Sequence, residues 1–389
     1  MRRFRMRINW FLILLAYAGL FVYGLVDNAR GPVFPDILST FALSDALGSV
    51  FFFLSSLAAT LVNATAFWWL KRWHSRKTYS LFIACQVLGM GLIAVSPTYP
   101  IMLLGVVLFG FSMGGMGLLV NVFAAEAAEG ETRRRVLSGL HGMYGIASLI
   151  SPVAVTVIYS MGGDWRSALG ILAIAPALVF ILSFVSAKTP DPEGVVVDAK
   201  MAKQVSFVQV WPFVIMVASY VVAEVLLGSR MVLFTRRELG YSVEYSNFLL
   251  SGFFMALFIG RMSFAVFTFR FPTRALLLFS AISGLAFFVV GLLVNPIALI
   301  GCGLTFSFFY PCAMAEISEK LGPSRAPVVM SWVQTFQSIG ILSMHFLVGV
   351  LSDKIGLAKA FWLGPLALVV VIICLIWKFS LGEQANSTA

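Results

Sequence analysis

Twelve stretches of roughly twenty mainly apolar residues, joined by short polar turns, leave this chain few folds to choose from. They fall at 9–30 (or on to 38), 46–70, 78–96, 100–125, 136–161, 166–187, 207–234, 245–269, 273–294, 296–317, 327–351 and 360–378. In hydrocarbon each backbone N–H and C=O must find its partner within the segment, so each stretch is expected to be a helix. Only 11% of the 389 residues are charged, where a soluble chain carries about 25%. The fold class expected is an all-α membrane protein with twelve transmembrane helices. The one long polar interior stretch, 188–206, contains Pro190 and Pro192 and reads as a linker. It separates 1–187 from 207–389, each with six spans, as two pseudo-symmetric six-helix bundles.

Charge placement sets the orientation. If the N-terminus is inside, Arg2, Arg3, Arg5, Arg7, Lys71, Arg72, Arg76, Lys77 and Arg133–Arg135 lie inside, with Lys188, Lys200, Lys203, Arg270, Arg274, Lys320, Arg325 and Lys378. The outer side keeps Arg30, Arg166, Arg236, Arg237, Lys354 and Lys359. The positive-inside rule then puts both termini in the cytoplasm of a multi-pass protein of the cell (inner) membrane. The net charge of +10 faces anionic lipid, and no nucleic-acid partner is required. The basic Met1–Arg7 leads into a long segment without a cleavage site, which reads as a retained first span. Cys85, Cys302, Cys312 and Cys374 lie in apolar segments without ligand spacing and read as packing residues. His74, His141 and His345 share no metal-ligand spacing either, so neither a metal nor a cofactor is expected.

Against this background a few polar side chains stand out. In 24–35 an acid, an amide and a guanidinium, Asp27, Asn28 and Arg30, fall within four residues. An ionisable residue inside a span costs at least ~2.5 kcal/mol and marks a functional site by default. A carboxyl in apolar surroundings favours its protonated form, so Asp27 is the leading proton-coupling candidate. The plain alternative is an Asp27–Arg30 pair, three residues apart, that neutralises both charges. Glu224 has no basic residue three or four positions away, and is the second proton-coupling candidate. It is also a ligand for a sugar hydroxyl, or a partner of Arg230 or Arg261. Arg261 offers a donor fork suited to an anion, or an ion pair within the protein. Arg230, toward the end of its span, either binds or snorkels to the interface. Asn63, Asn121, Gln334 and Gln337 both donate and accept, which suits polyol recognition and equally suits helix–helix contacts. Asn28, Arg30, Asn63, Tyr144, Tyr220, Glu224, Arg261, Tyr310, Gln334 and Gln337 form the expected substrate-binding set. Gly110, Gly114 and Gly117 share one helix face and predict close packing against a neighbour.

Several short runs carry a family resemblance. They are Leu25-Val26-Asp27 with Pro35 and Phe41–Ser44, the glycine-rich 110–117 with Asn121, Arg135–Gly145 closing at Ser151-Pro152, Tyr220-x-x-x-Glu224, Ile259-Gly260-Arg261 and Phe309-Tyr310-Pro311. In order and placement they resemble the major facilitator superfamily, and within it the fucose-permease-like branch of proton-coupled sugar symporters. The resemblance implies two bundles that rock around a midplane site, a sugar as solute and a proton as driving ion. It departs at Gly117, where fucose permease carries a second acid, and at Lys71, near the Asp of the superfamily's loop signature.

The function expected is secondary active transport of a small polar solute by alternating access, proton-coupled, in a monomer surrounded by lipid. Reorientation would require a protonated Asp27 and a filled site. An exporter or antiporter of organic anions or drugs also fits the intramembrane arginines, and an uncoupled facilitator fits a neutralised Asp27–Arg30 pair. No catalytic set or nucleotide-binding motif appears, so an enzyme or an ATP-driven pump is not expected.

Overall fold

The computed structural model describes residues 8–128, 130–184, 207–266 and 271–387, and among these every regular element is helical. The expected linker, 188–206, lies outside the described residues. The first half contains α1 (Trp10–Thr40), α2 (Asp45–Ala64), α3 (Ala66–Arg72), α4 (Ser75–Val95), α5 (Tyr99–Glu126), α6 (Gly130–Ser160), α7 (Trp165–Leu172) and α8 (Ile174–Leu182). The second contains α9 (Phe207–Arg237), α10 (Val243–Val266), α11 (Thr273–Leu293), α12 (Ala298–Ile355), α13 (Leu357–Ala360) and α14 (Leu363–Ser387). Among the described residues, twelve helical segments are long and apolar enough to cross a membrane. Leu14, Leu88, Leu104, Phe279, Ile282 and Ile373 are exposed. Apolar side chains spread over so many helices need lipid, not water, as their solvent. This is a multi-pass integral membrane protein.

Three details differ from the simple twelve-rod expectation. The second span breaks at Thr65, whose hydroxyl donates to the carbonyls of Leu61 (2.8 Å) and Val62 (3.1 Å) before α3 begins. The sixth span breaks at Ala173, just before Pro176, which has no N–H to offer the carbonyl of Leu172. Conversely, 318–326 is not a break: the backbone stays helical throughout α12. Its Glu316, Glu319, Lys320 and Leu321 favour helix. A polar connection ends a span without ending a helix.

The chain divides into two compact units, Met1–Leu43 with Val50–Val196, and Ser44–Ser49 with Val197–Ala389. In the first, α1 packs on α5 and α6, and α4 packs on α5. Lipid gives helices no hydrophobic reason to associate, so close packing and hydrogen bonds must hold them. Side chains from two neighbours clamp the backbone of α1. Tyr79 of α4 donates to the carbonyl of Leu15 (2.7 Å), Gln86 of α4 to Val22 (3.2 Å), and Ser151 of α6 to Leu25 (2.7 Å). The last two fix the turn that carries Asp27. Helix α5 meets α2 through Gly110 and Gly114, where a β-carbon would lie 2.4 Å from the Ser55 carbonyl oxygen and 2.5 Å from that of Ala59. Gly117, expected on the same packed face, has nothing within 4 Å of an added β-carbon.

In the second unit, α12 packs on α9, α10 and α11, and α14 packs on α9. This unit takes in the start of α2, through contacts the sequence did not suggest. The Asp45 carboxylate accepts from Arg237 (2.7 and 2.5 Å) and from Ser352. The Asp353 carboxylate accepts from the backbone N–H groups of Asp45 (2.8 Å) and Ala46 (3.0 Å). Those N–H groups open a helix and lack intrahelical acceptors, so Asp353 caps α2 from another helix. Arg230, for which the sequence offered snorkelling to the interface as one reading, is instead 1% exposed and donates to Ser49 (3.0 Å).

Candidate functional site

Each unit gathers one of the two sequence-selected acids with a guanidinium and a phenol. In the first, α1 supplies Asp27, Asn28 and Arg30. Arg30 pairs with Oδ1 of Asp27, and the Tyr144 hydroxyl of α6 donates to Oδ2 (3.0 Å). Tyr144 reaches α1 because Gly24 has no side chain: a β-carbon there would stand 2.9 Å from the Tyr144 ring. Tyr23 adds a tilted ring contact at 5.8 Å. The Asn28 amide donates to the carbonyl of Gly24 (2.8 Å) and to Ser148 (3.0 Å), whose hydroxyl donates to the carbonyl of Tyr144 (2.8 Å). Asn28, expected to bind solute, therefore also ties the two helices that hold the acid and the phenol.

Arg30 is enclosed. Its Nε donates to the carbonyl of Asp27 (3.2 Å) and a terminal nitrogen to Ser55 of α2 (2.7 Å). Its guanidinium carbon lies 6.0, 5.2 and 4.9 Å from the ring centres of Phe51, Phe52 and Phe109. Aromatic faces attract a cation, more strongly where water is excluded. The side chain of Arg30 is 7% exposed and that of Asp27 15%.

In the second unit, α9 places Tyr220 one turn before Glu224. The Tyr220 hydroxyl oxygen lies 2.5 Å from Oε2 of Glu224 and 2.8 Å from the carbonyl oxygen of Phe306 on α12. Its ring stacks on Phe309 with centres 4.3 Å apart and meets Phe306 edge-on at 5.5 Å. Arg261 of α10 answers the question of Glu224's partner, with a nitrogen 3.2 Å from Oε1. The preceding Gly260 lets α10 close on α12, since a β-carbon there would sit 2.0 Å from the Ser307 hydroxyl. Tyr310 of α12 is within electrostatic reach of the Glu224–Arg261 pair. Arg261 and Glu224 have side chains 33% and 21% exposed, so this pair is more open than its counterpart.

Asn63 and Gln334 are exposed, and Gln337 is half-buried. Oε1 of Gln337 is buried without a hydrogen-bond partner among the described residues. Sequence reasoning did not find Ser55, Ser148 or the three phenylalanines around Arg30. Ser148 had a faint signal, one turn beyond Tyr144 on the same face. The phenylalanines had none, being three of 36.

A bundle of apolar spans with paired charges inside defines a membrane transport protein rather than an anchor. Residues 16–344 match the profile of the Major Facilitator Superfamily. The chain belongs to this superfamily and is a transporter of that type. A protein TsgA homolog of Buchnera aphidicola subsp. Baizongia pistaciae (strain Bp) is 20% identical over 283 residues, 69% of each chain. Among solved structures, a bacterial homolog of the human lysosomal transporter Spinster superposes with a TM-score of 0.72, at 15% identity over 95% of both chains. A variant of the E. coli fucose:proton symporter gives 0.62 at 17% identity, over 94% of this chain and 98% of that one. At these identities the structures share the fold.

Proposed function

We propose that this transporter moves a small, neutral, sugar-like solute by alternating access, driven by protons, as a monomer in the cell's inner membrane with both termini cytoplasmic. One observation carries the proposal: each unit holds a carboxylate matched by a guanidinium and bonded to a phenol inside its spans. Such groups are retained in a membrane for function. A carboxyl held inside a span supplies the proton site. The match of each acid to an arginine leaves no net charge to attract an anion, and favours a neutral polyol bound by hydroxyl, amide and aromatic faces. The fold shared with a fucose:proton symporter supports the same reading.

The test is thermal unfolding of the purified protein against monosaccharides, monocarboxylates and amphipathic cations, at two pH values. A ligand that binds only the folded state raises the midpoint by mass action. The proposal expects a monosaccharide to raise it, by an amount that differs between the two pH values. A shift with carboxylates or cations alone would replace it with an exporter of those solutes. A sugar shift that ignores pH would leave an uncoupled facilitator.

A further inference from the structure

Resting on the proton-coupled reading, we infer that the coupled proton is carried by Glu224, with the Tyr220 hydroxyl as its switch, while Asp27 remains a fixed counter-charge to Arg30. This reverses the order of the two acids that the sequence suggests.

The argument is a count of protons. A phenol has one hydrogen to donate. The Tyr220 oxygen stands within hydrogen-bond reach of two acceptors, Oε2 of Glu224 and the carbonyl of Phe306. With Glu224 ionised, the phenol hydrogen goes to the carboxylate, and the Phe306 carbonyl keeps its helical N–H partner. When a proton from water binds Oε2, the new carboxyl O–H donates to the Tyr220 oxygen, and the phenol hydrogen turns to Phe306. The other change is the loss of the ion pair between Glu224 and Arg261. The phenol and the carboxyl keep a hydrogen bond in both states, so neither is left without a partner when the proton binds. Tyr144 differs: among the described residues its hydroxyl is met by Asp27 and by the Asn28 amide, with no backbone carbonyl as a second acceptor.

The arginines differ in the same sense. Protonating Glu224 removes the anion beside Arg261, whose side chain is one-third exposed and open to solvation. Protonating Asp27 would instead leave Arg30 charged behind Phe51, Phe52 and Phe109, with the Ser55 hydroxyl and the Asp27 carbonyl as neutral acceptors. A buried charge stripped of its partner is strongly unfavourable. Among the described residues, the titratable and charged groups facing Glu224 are Tyr220 from its own helix, Arg261 from α10 and Tyr310 from α12.

The test needs neither solute nor gradient. Infrared difference spectra of the detergent-purified full chain are recorded on acidification, and the carboxylic-acid C=O band of a single acid is isolated by subtracting each variant's spectrum from that of the wild type. The inference expects the band in the wild type and in Asp27→Asn, or in Asp27→Asn with Arg30→Gln where the single variant unfolds. It expects loss of the band in Glu224→Gln, its return in Glu224→Asp, and a displaced frequency in Tyr220→Phe, where the acid has lost its phenol. If Glu224→Gln does not fold, the frequency in Tyr220→Phe decides. A band that survives Glu224→Gln, or does not move in Tyr220→Phe, overturns the inference. Solute-driven proton flux with the band assigned to Asp27 would defeat this inference alone. A Glu224 band without such flux would defeat only the transport reading.

Discussion

Asp27→Ala alone is expected to destabilise the purified protein by about 3–5 kcal/mol, the usual cost of stranding one partner of a buried ion pair. Arg30 cannot escape to water, with a side chain 7% exposed and three aromatic rings around it. Removing the carboxylate therefore leaves a guanidinium with only weak neutral acceptors. Adding Arg30→Met removes the stranded charge and refills its volume, and should recover most of the loss, because an apolar replacement of a buried pair is often neutral. Denaturant unfolding of the wild type, both single variants and the double variant closes a thermodynamic cycle. A double variant as unstable as Asp27→Ala would show that the two charges do not depend on each other.

The second large effect is steric. Gly110→Val and Gly114→Val should each prevent correct packing of α5 on α2. The added β-carbons meet the carbonyl oxygens of Ser55 and Ala59 at 2.4 and 2.5 Å, and backbone atoms cannot rotate away. Overpacking a well-fitted contact typically costs about 1–3 kcal/mol. Here the clash also pushes on the turn of α2 that gives Arg30 its Ser55 acceptor. Size-exclusion profiles and thermal midpoints should show both variants aggregated or sharply destabilised, with Gly117→Ala near wild type. Equal damage from Gly117→Ala would mean that the loss does not come from contact with α2, since alanine is the better helix former.

The spans were legible because hydrocarbon tolerates little besides apolar helix, and that requirement is written residue by residue. Asp27, Glu224 and Arg261 were legible for the converse reason, as costly exceptions. The partner of Glu224 was not. Arg230 lies on the same helix and Arg261 on the next, and the choice depends on how α9 and α10 align against α12. The ring cage of Arg30 was equally hidden, since Phe51, Phe52 and Phe109 look like any other phenylalanine in an apolar segment. Span helices are apolar nearly all round, so periodicity says little about which side a residue faces. Asn63, Gln334 and Gln337 were therefore identifiable as polar, while the exposure of the first two and the half-burial of the third were not. The polar stretch after Ile317 misled in the same way, marking an exit from the membrane where α12 continues unbroken.

Proton movement tests the central claim most directly. The protein is reconstituted into liposomes holding a pH-sensitive dye, and the monosaccharide that most raises its thermal midpoint is added outside. The account predicts that the lumen acidifies as the sugar enters, that an imposed inward proton gradient concentrates the sugar, and that Glu224→Gln does neither. Sugar entry with an unchanged luminal pH, or gradient-driven accumulation undiminished in Glu224→Gln, would contradict it.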